Sequence, residues 1–258
     1  MNRSSVFSLV VVLIVLIGIV ILIPIMLGNR VVVGPRISEV GLSGISEKKI
    51  VEEMDGYKVN IGYPELSISD EKVMETVNDS IKVEAQDMFS SFIDDVSRDS
   101  IKIEGVKSEL TSKYDILFKT RSFVSLRFTD FYYVSGMAHP QTVYRVFNYD
   151  IDKNKEIVIS DIFSSGSDYL SPLSSIAKED VKRQLEPQQV YFEDMASLGT
   201  EPRADNYSIF NFNKEGITIV FGQYAVAPYA VGPVFVDISY DKLIGINPEL
   251  IARIKTAN

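Results

Sequence analysis

Residues 114–149 read YDILFKTRSFVSLRFTDFYYVSGMAHPQTVYRVFNY. β-Branched and aromatic residues crowd into Tyr114–Thr120, Phe123–Tyr133 and Thr142–Tyr149, with turn-forming residues between the runs. Glu156–Ile159 continues the series. Such side chains fit a pleated, half-buried surface, and runs of this length between turns read as successive antiparallel strands. Just upstream the period changes. Residues 70–96, DEKVMETVNDSIKVEAQDMFSSFIDDV, place Val73, Val77, Ile81, Ala85, Met88, Phe89, Phe92 and Val96 three or four apart. That spacing marks one face of a long helix. Asp70 offers the short side-chain oxygen of an N-cap, and Glu71 puts negative charge in the first turn.

Working outward, Tyr57–Leu66 reads as a strand, with Pro64 pointing to an edge or a strand end. Residues 30–56 form a mixed, glycine-containing stretch whose first part reads as a spacer. Downstream, Ser167 is the expected cap of a second helix with Pro172 in its first turns. Leu170, Leu173, Ile176, Ala177, Val181 and Leu185 line that helix and Pro187 ends it. Tyr207–Asn213 and Ile217–Phe221 flank a turn at Asn213–Gly216, where Gly216 is expected at positive φ. Pro233–Tyr240 reads as a last strand, and Asn247 with Pro248 opens a terminal helix. There is no regular βαβ alternation and no internal repeat. The expected fold class is α+β: antiparallel sheets packed with two main helices, behind one N-terminal transmembrane helix.

That last element comes from residues 6–27, VFSLVVVLIVLIGIVILIPIML, which hold no charge. A helix of this length spans roughly 30 Å, a bilayer's hydrocarbon core. The run exceeds the apolar core of a signal peptide, and no A-x-A-like cleavage site follows it. Arg3 precedes it and Arg30 and Arg36 follow, so the positive-inside rule is nearly balanced. The absence of Cys fits either side of the membrane. The expected organisation is a tail and anchor (1–29), a smaller α+β domain (30–130) and a C-terminal α+β domain (131–258).

The chain has 26 Lys+Arg against 35 Asp+Glu, a net charge of −9. Nucleic acid would be repelled, whereas a basic partner would be attracted. The same acidity also serves plain solubility.

Few residues carry chemistry. Asp150, Asp152, Asn154 and Asp161 are spaced like a calcium loop, but Lys155 stands where that loop needs Gly and strands flank it. A turn with Asn154 in the left-handed region explains the run better. His139, the sole histidine, sits in Gly136-Met-Ala-His139-Pro140. One His and no Cys cannot build a zinc cage, and no G-x-S-x-G elbow accompanies it. The adjacent acids Glu52/Glu53, Asp94/Asp95 and Glu193/Asp194 could serve a glycosidase only if one carboxyl were raised. Tyr132, Tyr133, Tyr191, Tyr224 and Tyr229 could stack on sugars, although Trp is absent. No nucleotide-binding motif occurs. No cofactor, metal or catalytic residue is expected.

From residue 130 onward the pieces stand in a recognisable order: Gly136-Met-Ala-His139-Pro140; Asn148-Tyr149-Asp150; Ile159-Ser-Asp161-Ile-Phe163; Phe210-Asn-Phe212 with Gly216-Ile-Thr-Ile-Val-Phe221; Tyr224-Ala-Val-Ala-Pro228-Tyr229-Ala-Val-Gly232; Ile238-Ser-Tyr240. This order resembles the domain of unknown function shared by the RsiV-like proteins and the N-terminal region of the peptidoglycan deacetylase PdaC. Residues 57–130 resemble the smaller domain that precedes it. The resemblance implies a bacterial extracytoplasmic domain behind one membrane anchor, with the N-terminus cytoplasmic and residues 30–258 outside. RsiV is an anti-sigma factor whose outer domain binds lysozyme. Five residues before residue 6 are too few to hold a sigma factor, and no catalytic domain follows, so neither anti-sigma nor deacetylase activity is expected. The expected function is a membrane-anchored binding module for a cell-wall glycan or a basic secreted protein such as lysozyme, with His139, Tyr224 and Tyr229 at the ligand surface. A wall hydrolase using paired carboxylates and a structural accessory of an envelope complex are the alternatives.

Overall fold

The computed structural model describes residues 41–258. The apolar run 6–27, its orientation and the start of the spacer lie outside the described residues. Among the described residues no helix is long and apolar enough to cross a membrane.

The chain is mixed α+β. Strands β1 (Leu42–Glu53), β2 (Tyr57–Ile68), β3 (Ser108–Lys119), β4 (Phe123–Tyr133), β5 (Gln141–Asp150) and β6 (Lys155–Glu156) form one sheet in sequence order. It is not wholly antiparallel as expected. Tyr57–Ile61 of β2 runs parallel to Ser108–Ser112 of β3. The reason is helix α1 (Glu71–Asp99), which carries the chain back along the sheet so that β3 starts at the same end as β2. Pro64 lies beyond the last β2 residue paired with β3, where its missing N–H leaves no gap on that side.

Asp70 caps α1, its Oδ1 accepting from Val73 N at 3.0 Å. The helix buries Val77, Ile81, Ala85 and Phe92 on the sheet. Phe92 meets Tyr57 and Tyr132 edge-on, with centroids 6.2 and 5.5 Å apart. The opposite face of the sheet receives the second half of the chain. There β7 (Phe210–Phe212), β8 (Gly216–Phe221) and β9 (Val234–Ser239) form a small antiparallel sheet. Helices α2 (Leu170–Leu185), α3 (Glu193–Gly199) and α4 (Pro248–Thr256) complete the fold. Leu173, Ala177, Val181, Leu250 and Ile254 join Ile219, Val236 and Ile238 in its core.

A buried polar cluster joins the two sheets. Ser125 Oγ donates to Asn148 Oδ1 at 2.6 Å, and Asn148 Nδ2 donates to Phe210 O at 2.8 Å. Asn211 Nδ2 reaches Ser125 Oγ and Leu126 O, both at 2.9 Å.

Several local expectations need correcting. β1 occupies the later part of the mixed stretch 30–56, where no strand was expected. Of the expected strand Glu156–Ile159 only Glu156 joins the sheet, in β6 with Lys155, because Asp161 Oδ2 accepts from Val158 N at 3.0 Å and starts a 3-10 turn. Ser167 does not cap α2: its hydroxyl donates to Ser164 O at 2.8 Å, and the helix starts at Leu170. Gly216 is not at positive φ. Its glycine is needed for space, since a Cβ would stand 2.1 Å from Ile238 O.

Candidate functional site

His139 lies in the turn between β4 and β5, and Tyr224 and Tyr229 lie in the link between β8 and β9. The fold brings all three together. The His139 ring stacks on Tyr229, with centroids 3.9 Å apart and planes 30° apart. Tyr224 closes the group, 6.3 Å from the His139 centroid and 5.7 Å from that of Tyr229. Tyr229 Oη donates to Pro140 O at 2.6 Å. Tyr224 Oη is 3.3 Å from His139 Nε2, and His139 Nδ1 is 3.2 Å from Pro140 O. Both imidazole contacts are satisfied at once when Nδ1 carries the proton and the Tyr224 hydroxyl donates to Nε2.

The link between β8 and β9 is shaped to present Tyr224. A turn closes through Ala225 N donating to Gly222 O at 3.1 Å. Tyr224 itself sits at φ +67 and is 55% exposed. A non-glycine residue there costs about 1–2 kcal/mol, and such strain concentrates where a side chain must be aimed. Beside it, Gln223 Oε1 accepts from Thr142 N at 2.9 Å, tying the link to the first residues of β5. Thr142 pairs in register with Phe131 of β4, which is 39% exposed. The result is an aromatic surface with hydroxyl and imidazole edges, assembled from both sheets. Gln223, Thr142 and Phe131 were not foreseen from sequence. Gln223 carries no pattern of its own, and only strand register places Phe131 next to Thr142.

His139 has no carboxylate partner among the described residues, so nothing there orients it as a base. Tyr132 and Tyr191 pack against the core clusters instead. Tyr132 donates to Asp95 and packs edge-on to Phe92. Tyr191 donates to Glu193 at 2.8 Å, and desolvation followed by that bond pushes its hydroxyl up to about 12.

Each adjacent acidic pair has at least one member occupied too. Glu52 accepts from Tyr57, Glu53 pairs with Lys107 at 2.9 Å, and Asp95 pairs with Arg98. Glu193 pairs with Lys178 at 2.7 Å; bonds from Lys178 and then Tyr191 pull its carboxyl down to about 2. Asp150 and Asp152, the apparent calcium positions, are held by Arg253, whose Nη2 is 2.9 and 3.0 Å from their oxygens. Asn154 takes the left-handed conformation at φ +49. Among the described residues no group of His, Cys, Asp or Glu is placed to hold a metal ion. Glu156 is different: desolvation first, then Glu84 and Asp161, raise its carboxyl. It lines a cleft of about 260 Å³ with Asn148, Tyr169 and Phe210. No sequence motif marked it, because its environment is built by residues distant in the chain.

Comparison with known proteins bears on both halves of the chain. Residues 50–142 match the family described as deacetylase PdaC, and residues 160–241 match the protein family of unknown function DUF3298. The peptidoglycan-N-acetylmuramic acid deacetylase PdaC of Bacillus subtilis (strain 168) is 34% identical over 127 residues. That match covers 49% of this chain and 26% of the deacetylase, so the chain spans about a quarter of that relative's length. A DUF3298 family member from Bacteroides fragilis NCTC 9343 superposes with TM-score 0.61 at 16% identity, covering 85% of this chain and 99% of that one. A DUF3298 protein from Pseudomonas aeruginosa PAO1 gives 0.58 at 14% identity, covering 81% and 97%. At these identities the likeness is one of fold. The PdaC match ends just past His139, and Tyr224 and Tyr229 fall inside the DUF3298 match. The aromatic cluster therefore straddles the two matched segments.

Proposed function

We propose that this protein is a cell-wall glycan-binding module, held outside a bacterial cell by the apolar run 6–27, and that it binds through the His139–Tyr224–Tyr229 surface. The observation carrying this reading is that two sheets converge to stack His139 on Tyr229 while a strained backbone holds Tyr224 out in solvent. Aromatic faces suit the C–H-rich faces of sugar rings, and the hydroxyl and imidazole edges suit their hydroxyl groups. The similarity to a peptidoglycan deacetylase supports a cell-wall-related role. The carboxylate pairs support a hydrolase less well, because in each pair named from sequence at least one acid is tied up in a structural contact.

The test is co-sedimentation of the full chain, in detergent, with insoluble peptidoglycan. An aromatic contact of this kind is worth about 0.5–1.5 kcal/mol beyond area burial, so Tyr224→Ala should weaken retention by a few-fold to tenfold. Equal retention of wild type and variant, or no retention of either, sinks the reading. Protease protection in intact cells tests the outward placement: residues 41–258 should be cleaved from outside.

A second reading has its own support. The solvent face of α1 exposes Glu75, Asp79, Asp87 and Asp94, none in an ion pair among the described residues. A basic secreted protein would be steered to that face, with binding that weakens as salt rises. Lysozyme as that partner rests on the resemblance to the RsiV-like proteins. Salt-insensitive capture, or none, counts against it.

A further inference from the structure

The sheet face that carries Thr142 continues inward from the aromatic cluster. Phe131 pairs with Thr142, Thr129 with Tyr144 and Arg127 with Val146. Alternation puts these six residues on one face of the sheet. Strand β9 lays Phe235 against it. Tyr144 meets Phe235 edge-on at 5.7 Å, and the Arg127 guanidinium carbon is 4.9 Å from the centre of the same ring.

Arg127 has an unusual environment for a cation in a chain of net charge −9. It is half-buried, and its Nε is enclosed without a hydrogen-bond partner. Asp115 stands opposite it on β3, yet that side chain is exposed, and among the described residues no carboxylate pairs with Arg127. The other arginines near this sheet are satisfied. Arg145 holds Asp130 at 2.7 and 3.2 Å, and Arg253 holds Asp150 and Asp152. Arg127 is thus a planar fork of donors, fixed by stacking on one ring and left without an anion. A guanidinium so placed matches a carboxylate, which accepts two parallel N–H bonds. The Tyr144 hydroxyl group lies on the same face and offers a further donor.

The geometry points to Arg127, seated on Phe235 beside Tyr144, as an anion subsite that reads a carboxylate on the bound glycan. This rests on the glycan reading of the aromatic cluster: the neutral rings engage sugar faces, and Arg127 engages an acidic substituent farther along the same sheet face. The ligand class narrows to carboxylate-bearing glycan strands.

The experiment uses full chain in detergent and soluble peptidoglycan strands with their carboxyl groups either free or amidated. Wild type should bind the free form about tenfold more tightly than the amidated form. Arg127→Gln should bind both equally, and Arg127→Lys should keep part of the preference, with unchanged thermal unfolding showing that both variants fold. Tyr224→Ala should weaken both forms alike and keep the preference. Equal wild-type affinity for the two forms overturns the subsite while leaving the glycan reading standing. Absence of binding to either form overturns the glycan reading. In that event titration with glucuronate, followed at the Arg127 Nε–H signal and compared with glucose, still tests the carboxylate seat; no shift specific to glucuronate overturns it.

Discussion

Replacing Gly199 by Ala should disturb the aromatic surface from behind. Gly199 ends α3, and an added Cβ would stand 1.9 Å from Ala225 O and 2.7 Å from Val226 Cγ1. A normal C···O contact is about 3.3–3.6 Å, so the link bearing Tyr224 must retreat by roughly 1.4 Å or more. Two effects oppose each other. Ala is the better helix former by up to about 1 kcal/mol, and less at a last helical residue. Forcing a methyl group against fixed backbone costs about 1–3 kcal/mol. The clash should win, because the obstructing atom is a carbonyl rather than the end of a flexible side chain. Tyr224, one residue before Ala225, should then lose its 3.3 Å contact with His139. The chain has one histidine, so its imidazole NMR signals are unambiguous. Gly199→Ala should lower the urea midpoint and shift those signals. It should also reduce retention on peptidoglycan. A variant with wild-type midpoint and unshifted imidazole signals would refute the reasoning.

Three further outcomes are expected. Arg145→Met should cost about 3–5 kcal/mol in urea unfolding, because it strands the fully buried Asp130; adding Asp130→Leu should recover most of that. Asp70→Ala, which removes the cap of α1, should cost about 0.5–2 kcal/mol by the same measurement. Glu156 has a raised carboxyl in the fold, so its ionisation favours the unfolded chain. Its contribution is intact below the usual glutamate range and is lost as pH climbs through the raised value. Glu156→Gln should therefore raise the thermal midpoint at pH 7 and change it little near pH 4.

The features legible in the sequence were those written in a single period. The α1 stripe from Val73 to Val96 named its helix and its Asp70 cap, and β4 was bounded correctly at Phe123 and Tyr133. β1 escaped because LSGISEKKIVEE is largely solvated and so shows no clean alternation. The parallel β2–β3 pairing escaped because periodicity identifies a strand but not its neighbour. Ser167 and Gly216 misled for a shared reason: each residue type serves more than one local purpose, and surroundings choose between them. At the site, His139, Tyr224 and Tyr229 stood out as groups lying outside any core pattern. Arg127 did not, since a strand arginine carries no sign of whether an acid awaits it across the fold.

The Ser125–Asn148–Asn211 cluster has a consequence for how the aromatic surface is aligned. His139 hangs from a hairpin of the large sheet, and both tyrosines hang from the small one. Two sheets meeting only through apolar side chains could settle in neighbouring offsets at little cost. A slip of one residue moves a strand by about 3.3 Å, enough to pull the His139 and Tyr229 rings out of register. The buried amides forbid that offset, because any other leaves their donors and acceptors stranded away from water. They act as a dowel: a joint away from the aromatic surface that decides whether its two halves meet.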